Sequence, residues 1–74
     1  MTPWLLVIIF MVNGETFQTK GPLPAEMCLA VVREARGGKP PTITDADGIA
    51  TVVSVTCVSP TGVEVRAFVG EAAL

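Results

Sequence analysis

The chain has no histidine and no tyrosine among its 74 residues, and only 16% of them are charged. Without histidine it lacks the commonest general base and the commonest metal ligand of proteins. It also lacks a glycine-rich phosphate loop, a nucleophile elbow and any metal-binding motif. Five Lys and Arg against seven Asp and Glu disfavour nucleic-acid binding through bulk charge. These absences predict a protein that is not an enzyme and that uses no cofactor, metal or nucleic acid.

Hydrophobic residues, by contrast, make up 50% of the sequence, and the net charge is only -2. This combination excludes intrinsic disorder. The length allows one small domain, residues 1–74. A chain of this size buries only about 60% of its unfolded surface. We therefore expect a fold of marginal stability that needs a covalent cross-link or a partner.

The longest apolar run, WLLVIIFMV, covers residues 4–12. A transmembrane helix needs about 20 apolar residues, so this run is too short to span a membrane as a helix. A secretory signal would begin with basic residues, and none precedes the run. The β-branched and aromatic composition predicts a buried β-strand, with an export signal or anchor as the alternative.

Asn13-Gly14 after this run is typical of a two-residue type I′ turn, since both turn residues need positive φ. A hairpin with this loop pairs Phe10 with Phe17 and Val12 with Glu15. Alternation then divides the first strand between two faces. The face predicted to join the core carries Trp4, Leu6, Ile8, Phe10, Val12 and Phe17. The other face carries Leu5, Val7, Ile9 and Met11 beside Thr16, Gln18 and Lys20.

The middle of the chain predicts one helix. Gly21-Pro22-Leu23-Pro24 is expected to end the second strand, and Pro24 suits a first helical turn. The helix predicted over residues 24–36 has an inward stripe at i, i+3, i+4 and i+7 and ends at Gly37-Gly38. That stripe consists of Cys28, Val31, Val32 and Ala35. Residues 39–48 are expected to form a loop with an Asx-type turn.

Two further strands are predicted in the second half, over residues 49–58 and 63–69, joined by a turn at Ser59-Pro60-Thr61-Gly62. In the first of them Val53, Val55 and Cys57 share one face, and Val52 and Val58 share the other. Residues 71–74 are expected to be a frayed tail. The predicted fold is α+β: a single antiparallel four-stranded sheet (ββαββ, order 2-1-3-4) with one helix packed on one face.

The two cysteines, Cys28 and Cys57, are both predicted to face the core, one from the helix and one from the third strand. We therefore expect them to lie near each other. A disulfide closing a loop of about 30 residues would stabilise the fold by about 3–4 kcal/mol. Two reduced, buried cysteines are the alternative, and a cytoplasmic location favours that form.

Several pieces of the sequence together resemble a group of small uncharacterised phage and prophage proteins. These pieces are WLLVIIFMVNGE, the short second strand, the early cysteine of the helix and the segment Cys57-Val58-Ser59-Pro60. The resemblance covers most of the first 60 residues, whereas residues 39–48 and the last strand depart from it. It implies a phage-encoded origin and a helix–strand disulfide, and it assigns no activity.

Hydrophobic residues remain on the sheet face that the helix does not cover. A contiguous apolar patch usually marks an interface. We therefore expect a small interaction protein of the host cytoplasm that binds itself or a host or phage protein through this face. A secreted or membrane-associated mini-protein stabilised by a disulfide is the alternative. The predicted interface residues are Leu5, Val7, Ile9, Met11, Val52, Val58 and Phe68.

Overall fold

In the computed structural model, which describes residues 2–45 and 48–69, a four-stranded antiparallel sheet carries one α-helix on one face. The elements are β1 (Trp4–Val12), β2 (Glu15–Leu23), α1 (Ala25–Arg36), β3 (Thr44–Asp45), β4 (Gly48–Ile49), β5 (Thr51–Val58) and β6 (Glu64–Phe68). The sheet order is β2-β1-β5-β6, and the short strands β3 and β4 form a separate hairpin. This arrangement confirms the predicted α+β fold and strand order.

The first hairpin forms around Asn13 and Gly14, whose φ angles of 53° and 82° are those that a type I′ turn requires. The predicted register is confirmed, with Phe10 opposite Phe17. The strand was predicted to end at Gly21-Pro22-Leu23-Pro24, and β2 includes the first three of these residues before it ends at Leu23. Pro22 is tolerated there because β2 is an edge strand, where a missing N–H need not break a ladder of hydrogen bonds.

Helix α1 follows the predicted amphipathic pattern. Cys28, Val32 and Ala35 are buried, and Val31 packs partly buried against the core. Gly37 ends the helix, and its N–H donates to the carbonyl oxygens of Arg33 and Glu34. The helix makes most of its contacts with β6 and β5 and fewer with β1. It is therefore centred over one half of the sheet.

One irregularity in the sheet changes the direction of a side chain. Opposite Ile9 and Phe10 of β1, the paired residues of β5 are Ser54 and Val52, so Val53 is an extra residue in a β-bulge. A one-residue insertion moves the side chains beyond it to the other face. Val52 consequently faces the core, where it is 5% exposed. The prediction that Val52 lies on the uncovered face is wrong for this reason.

The core lies between α1 and the sheet face that we call the inner face. Val32, Val55, Cys28 and Cys57 are its most completely buried side chains. Cys28 of α1 and Cys57 of β5 form a disulfide, with their Cα atoms 5.9 Å apart. The expected proximity of the two cysteines is confirmed, and the structure has the disulfide form of the two alternatives.

The inner face is less well covered over β2. Phe17 was predicted to join the core, and its ring does stack on Phe10 with centroids 5.8 Å apart. It nevertheless stays 42% exposed, because α1 lies over β5 and β6 rather than over the hairpin.

The segment between α1 and β5 has more regular structure than predicted. β3 and β4 pair as a short antiparallel ladder, and Ile43 packs against the core. Gly62 N–H donates to the carbonyl oxygen of Ser59, which confirms the turn predicted at Ser59-Pro60-Thr61-Gly62. The part of the predicted Asx-type turn at 46–47 and the predicted tail at 71–74 lie outside the described residues.

Candidate interaction face of the sheet

The sheet face opposite α1, which we call the outer face, is organised in rows across the strands. Directly paired residues share a face, so the register places them without ambiguity. Two central rows, read from β2 to β6, each place an apolar residue of β1 between polar residues of β2 and β5, and end on β6 with a charged residue in one row and an aromatic residue in the other. These rows are Lys20–Val7–Thr56–Arg66 and Gln18–Ile9–Ser54–Phe68.

Apolar side chains on this face form what we call the outer apolar patch. Along β1 the patch is continuous, because every second residue of that strand points outward. Leu5 is 37% exposed, Met11 is 39% exposed and Phe68 is 52% exposed, so the larger members are accessible to solvent. The patch consists of Leu5, Val7, Ile9, Met11, Val58 and Phe68.

The polar residues of β5 at the centre of the outer face are shielded from solvent by neighbouring side chains. Ser54 and Thr56 are 3% and 5% exposed, respectively, although they lie on the face away from α1. Arg66 Nε donates to Thr56 Oγ1 at 3.0 Å. The guanidinium carbon of Arg66 lies 5.7 Å from the centroid of the Phe68 ring. The long side chains of β6 thus close over the short side chains of β5.

Charged groups stand only at the borders of the patch. Arg66 Nη2 contacts Glu64 Oε1 at 3.0 Å, with both side chains about half exposed. Such an exposed ion pair contributes little to stability. Lys20 is on β2 at the opposite border. The apolar row along β1 thus lies between charged side chains on the edge strands β2 and β6, and an apolar region with a polar rim is typical of protein–protein interfaces.

Six of the seven residues predicted from the sequence belong to this patch, and Val52 does not. Arg66 was not among the residues predicted from the sequence. Alternation along β6 places Arg66 and Phe68 on one face. That Thr56 lies opposite Arg66 follows only from the register of β5 and β6.

The chemistry available on this face is packing and hydrogen bonding. Within residues 2–45 and 48–69, no three Cys, Asp or Glu side chains come close enough to hold a metal ion. The described helix has 12 residues, and in this part of the chain no helix has the length and apolarity needed to cross a membrane.

No protein-family model matches the chain, and neither curated proteins nor solved structures include a significant match.

Proposed function

We propose that this protein is a small non-enzymatic interaction protein that works through the outer apolar patch, and that a second copy of the chain occupies this patch. The observation that carries the proposal is the exposure of Leu5, Met11 and Phe68 on the face opposite α1. Grouped apolar side chains of this size are unfavourable in water, and burying them against a partner is favourable.

A second copy is favoured because the outer face is suited to pack on itself. Two-fold dimers use the same patch on both subunits, and two sheets pack well face to face when their strands are roughly aligned. The molecule is only 16 Å in its shortest dimension, which corresponds to one helix layer on one sheet layer. A second sheet would add the third layer and supply the core that so short a chain lacks.

The resemblance of the sequence to small phage and prophage proteins supports a role as a phage accessory protein in the host cytoplasm. No catalytic site is part of this proposal. A host or phage protein is the other candidate occupant of the same face, and the experiment on self-association also separates the two.

Ile9→Lys tests the proposal, because Ile9 lies at the centre of the patch and is half-buried. Light scattering after size exclusion should give a mass of twice 7.7 kDa for the wild type at high micromolar concentration. The variant should be monomeric, since an interface that buries an unpaired ammonium loses several kcal/mol, on the order of 2–5.

Met27→Lys is the matched control. Met27 is 56% exposed on α1, so the same added charge falls outside the patch and should leave the dimer intact. Circular dichroism should show that both variants are folded. A wild type that stays monomeric contradicts self-association. In that case a purified host protein that binds the wild type and not Ile9→Lys would identify the other occupant.

A second function is favoured by the disulfide between Cys28 and Cys57. Disulfides persist in oxidising compartments and are rare in the cytosol. We therefore keep a secreted or membrane-associated mini-protein as the alternative, in which the apolar segment 4–12 also directs export.

Thiol trapping with a maleimide, together with cell fractionation, distinguishes the two locations. A protein that retains Met1 and is found in the cytoplasm with two modified cysteines excludes the exported form. Unmodified cysteines and recovery outside the cytoplasm would contradict the cytoplasmic accessory role.

A further inference from the structure

A cleft of about 740 Å³ lies at the end of the molecule where four parts of the chain meet. The segment before β1, the end of β2, the start of α1 and the β5–β6 turn all contribute to its lining. Its volume is in the range of pockets that bind small organic molecules. The cleft is separate from the centre of the outer apolar patch, since none of Val7, Ile9 or Met11 lines it.

The walls of the cleft are unusually rich in proline. Four of the six prolines in the chain line it: Pro3, Pro22, Pro24 and Pro60. A proline has a fixed φ and no N–H, so these walls are stiff and offer few hydrogen-bond donors. A stiff apolar site loses little conformational freedom when it binds a ligand.

The disulfide connects two of these walls. Cys28 follows the lining residue Glu26 by two positions in α1, and Cys57 precedes the lining residue Pro60 by three. The covalent bond between them therefore holds the start of α1 at a fixed distance from the end of β5. The cleft is formed in the folded protein before any ligand arrives.

Two lining side chains differ from the rest in chemistry. Among the described residues that line the cleft, Glu26 is the only charged one and Trp4 the only aromatic one. The Glu26 carboxylate lies in the first turn of α1, where it offsets the partial positive charge of the helix start. Indole faces attract organic cations, and a carboxylate attracts them at longer range.

We propose that this cleft binds a small organic cation, in which an ammonium group is attached to an apolar body. The ammonium would lie near Glu26, and the apolar body would pack against Trp4 and the prolines. Donor-poor walls suit this ligand, because an ammonium donates hydrogen bonds and needs acceptors.

Trp4 is the only tryptophan, and the chain has no tyrosine, so intrinsic fluorescence reports directly on the cleft. The probes are phenethylammonium, its neutral analogue 2-phenylethanol and the anion phenylacetate. We expect a saturable change for the cation, with Kd of about 0.1–1 mM for a ligand of this size. The alcohol should bind about fivefold more weakly and the anion more weakly still.

Glu26→Gln should lower the affinity for phenethylammonium to that for 2-phenylethanol. The affinity for 2-phenylethanol should not change. Glu34→Gln is the matched control, because Glu34 is exposed on the same helix and does not line the cleft. The indole N–H resonance of Trp4 should shift along with the fluorescence.

Absence of a saturable change with all three probes overturns the proposal, and so does equal binding of cation and alcohol by the wild type. If Glu26→Gln and Glu34→Gln lost the same affinity for the cation, the effect of charge would be unspecific. This result would also overturn the proposal. The Ile9→Lys variant should bind the cation like the wild type, so the outcome is independent of self-association through the outer apolar patch.

Discussion

Neighbouring residues of β1 occupy two different environments, although the strand is apolar along its whole length. Ile8 points to the inner face and is 8% exposed, whereas Leu5 and Met11 on the outer face are 37% and 39% exposed. Over β5, β6 and part of β1 the inner face is covered by α1, which the disulfide between Cys28 and Cys57 joins to β5. The outer face has only the side chains of its own strands to shield it.

The two faces of the sheet therefore have different roles, folding for the inner face and contact with a partner for the outer face. The inner face holds the well-packed cluster on which folding depends, and removal of buried groups there leaves cavities. The outer face keeps its apolar surface accessible, and contact with a partner can bury it. Changes to the inner face should therefore lower stability at every protein concentration, and changes to the outer face should act mainly through association.

Loss of the disulfide should have the largest effect on the inner face. The bridge spans 29 residues, and the chain-entropy account predicts a loss of about 3–4 kcal/mol in the free energy of unfolding when it is opened. Urea denaturation of the protein with and without reductant measures this value. A Cys28→Ala, Cys57→Ala double variant should be unaffected by reductant, and an equal response of both proteins would contradict the assignment.

Ile8→Ala and Ile9→Ala compare the two faces with the same chemical change at adjacent positions. Ile8→Ala should cost about 2–4 kcal/mol, because it empties a site in the core. At low protein concentration Ile9→Ala should cost about 1 kcal/mol or less. The stability that Ile9→Ala loses relative to the wild type should increase with protein concentration, because the substitution weakens the dimer. Similar, concentration-independent losses for both variants would remove the distinction between the faces.

The smallest effects are expected at the border of the outer face. Arg66→Ala removes the hydrogen bond to Thr56 and should cost about 1 kcal/mol in thermal or urea denaturation. Glu64→Gln is the matched comparison: it breaks only the exposed ion pair to Arg66 and should cost about 0.5 kcal/mol or less. If Glu64→Gln proved as costly as Arg66→Ala, the ion pair rather than the Thr56 contact would stabilise this border.

Most of the first hairpin can be predicted from residues that are close together in the sequence. Asn13-Gly14 permits the positive φ angles of a tight turn, and a two-residue loop leaves one register for the strands. The spacing of Cys28, Val32 and Ala35 similarly predicts the buried side of α1. The end of β2 was harder to predict, because a Gly-Pro pair ends a central strand and is tolerated in an edge strand.

Part of the outer apolar patch was predictable for the same reason. Alternation along an uninterrupted strand places Leu5, Ile9 and Met11 on one face. Val52 was misplaced because the bulge at Val53 depends on how β5 fits against β1, and no local pattern marks it. Likewise, the exposure of Phe17 depends on where α1 lies across the sheet.

The sequence by itself thus determined the helix, the four long strands, the tight turn and the two-sided character of β1, because these depend on residues close together in the chain. Only the tertiary structure decided three further features. It joined the neighbouring Cys28 and Cys57 in a disulfide, turned Val52 inward and gathered Trp4 and four prolines around one cleft. Each of these depends on distances between residues far apart in sequence, and such distances are fixed by the packing of α1 on the sheet and by the register of β5.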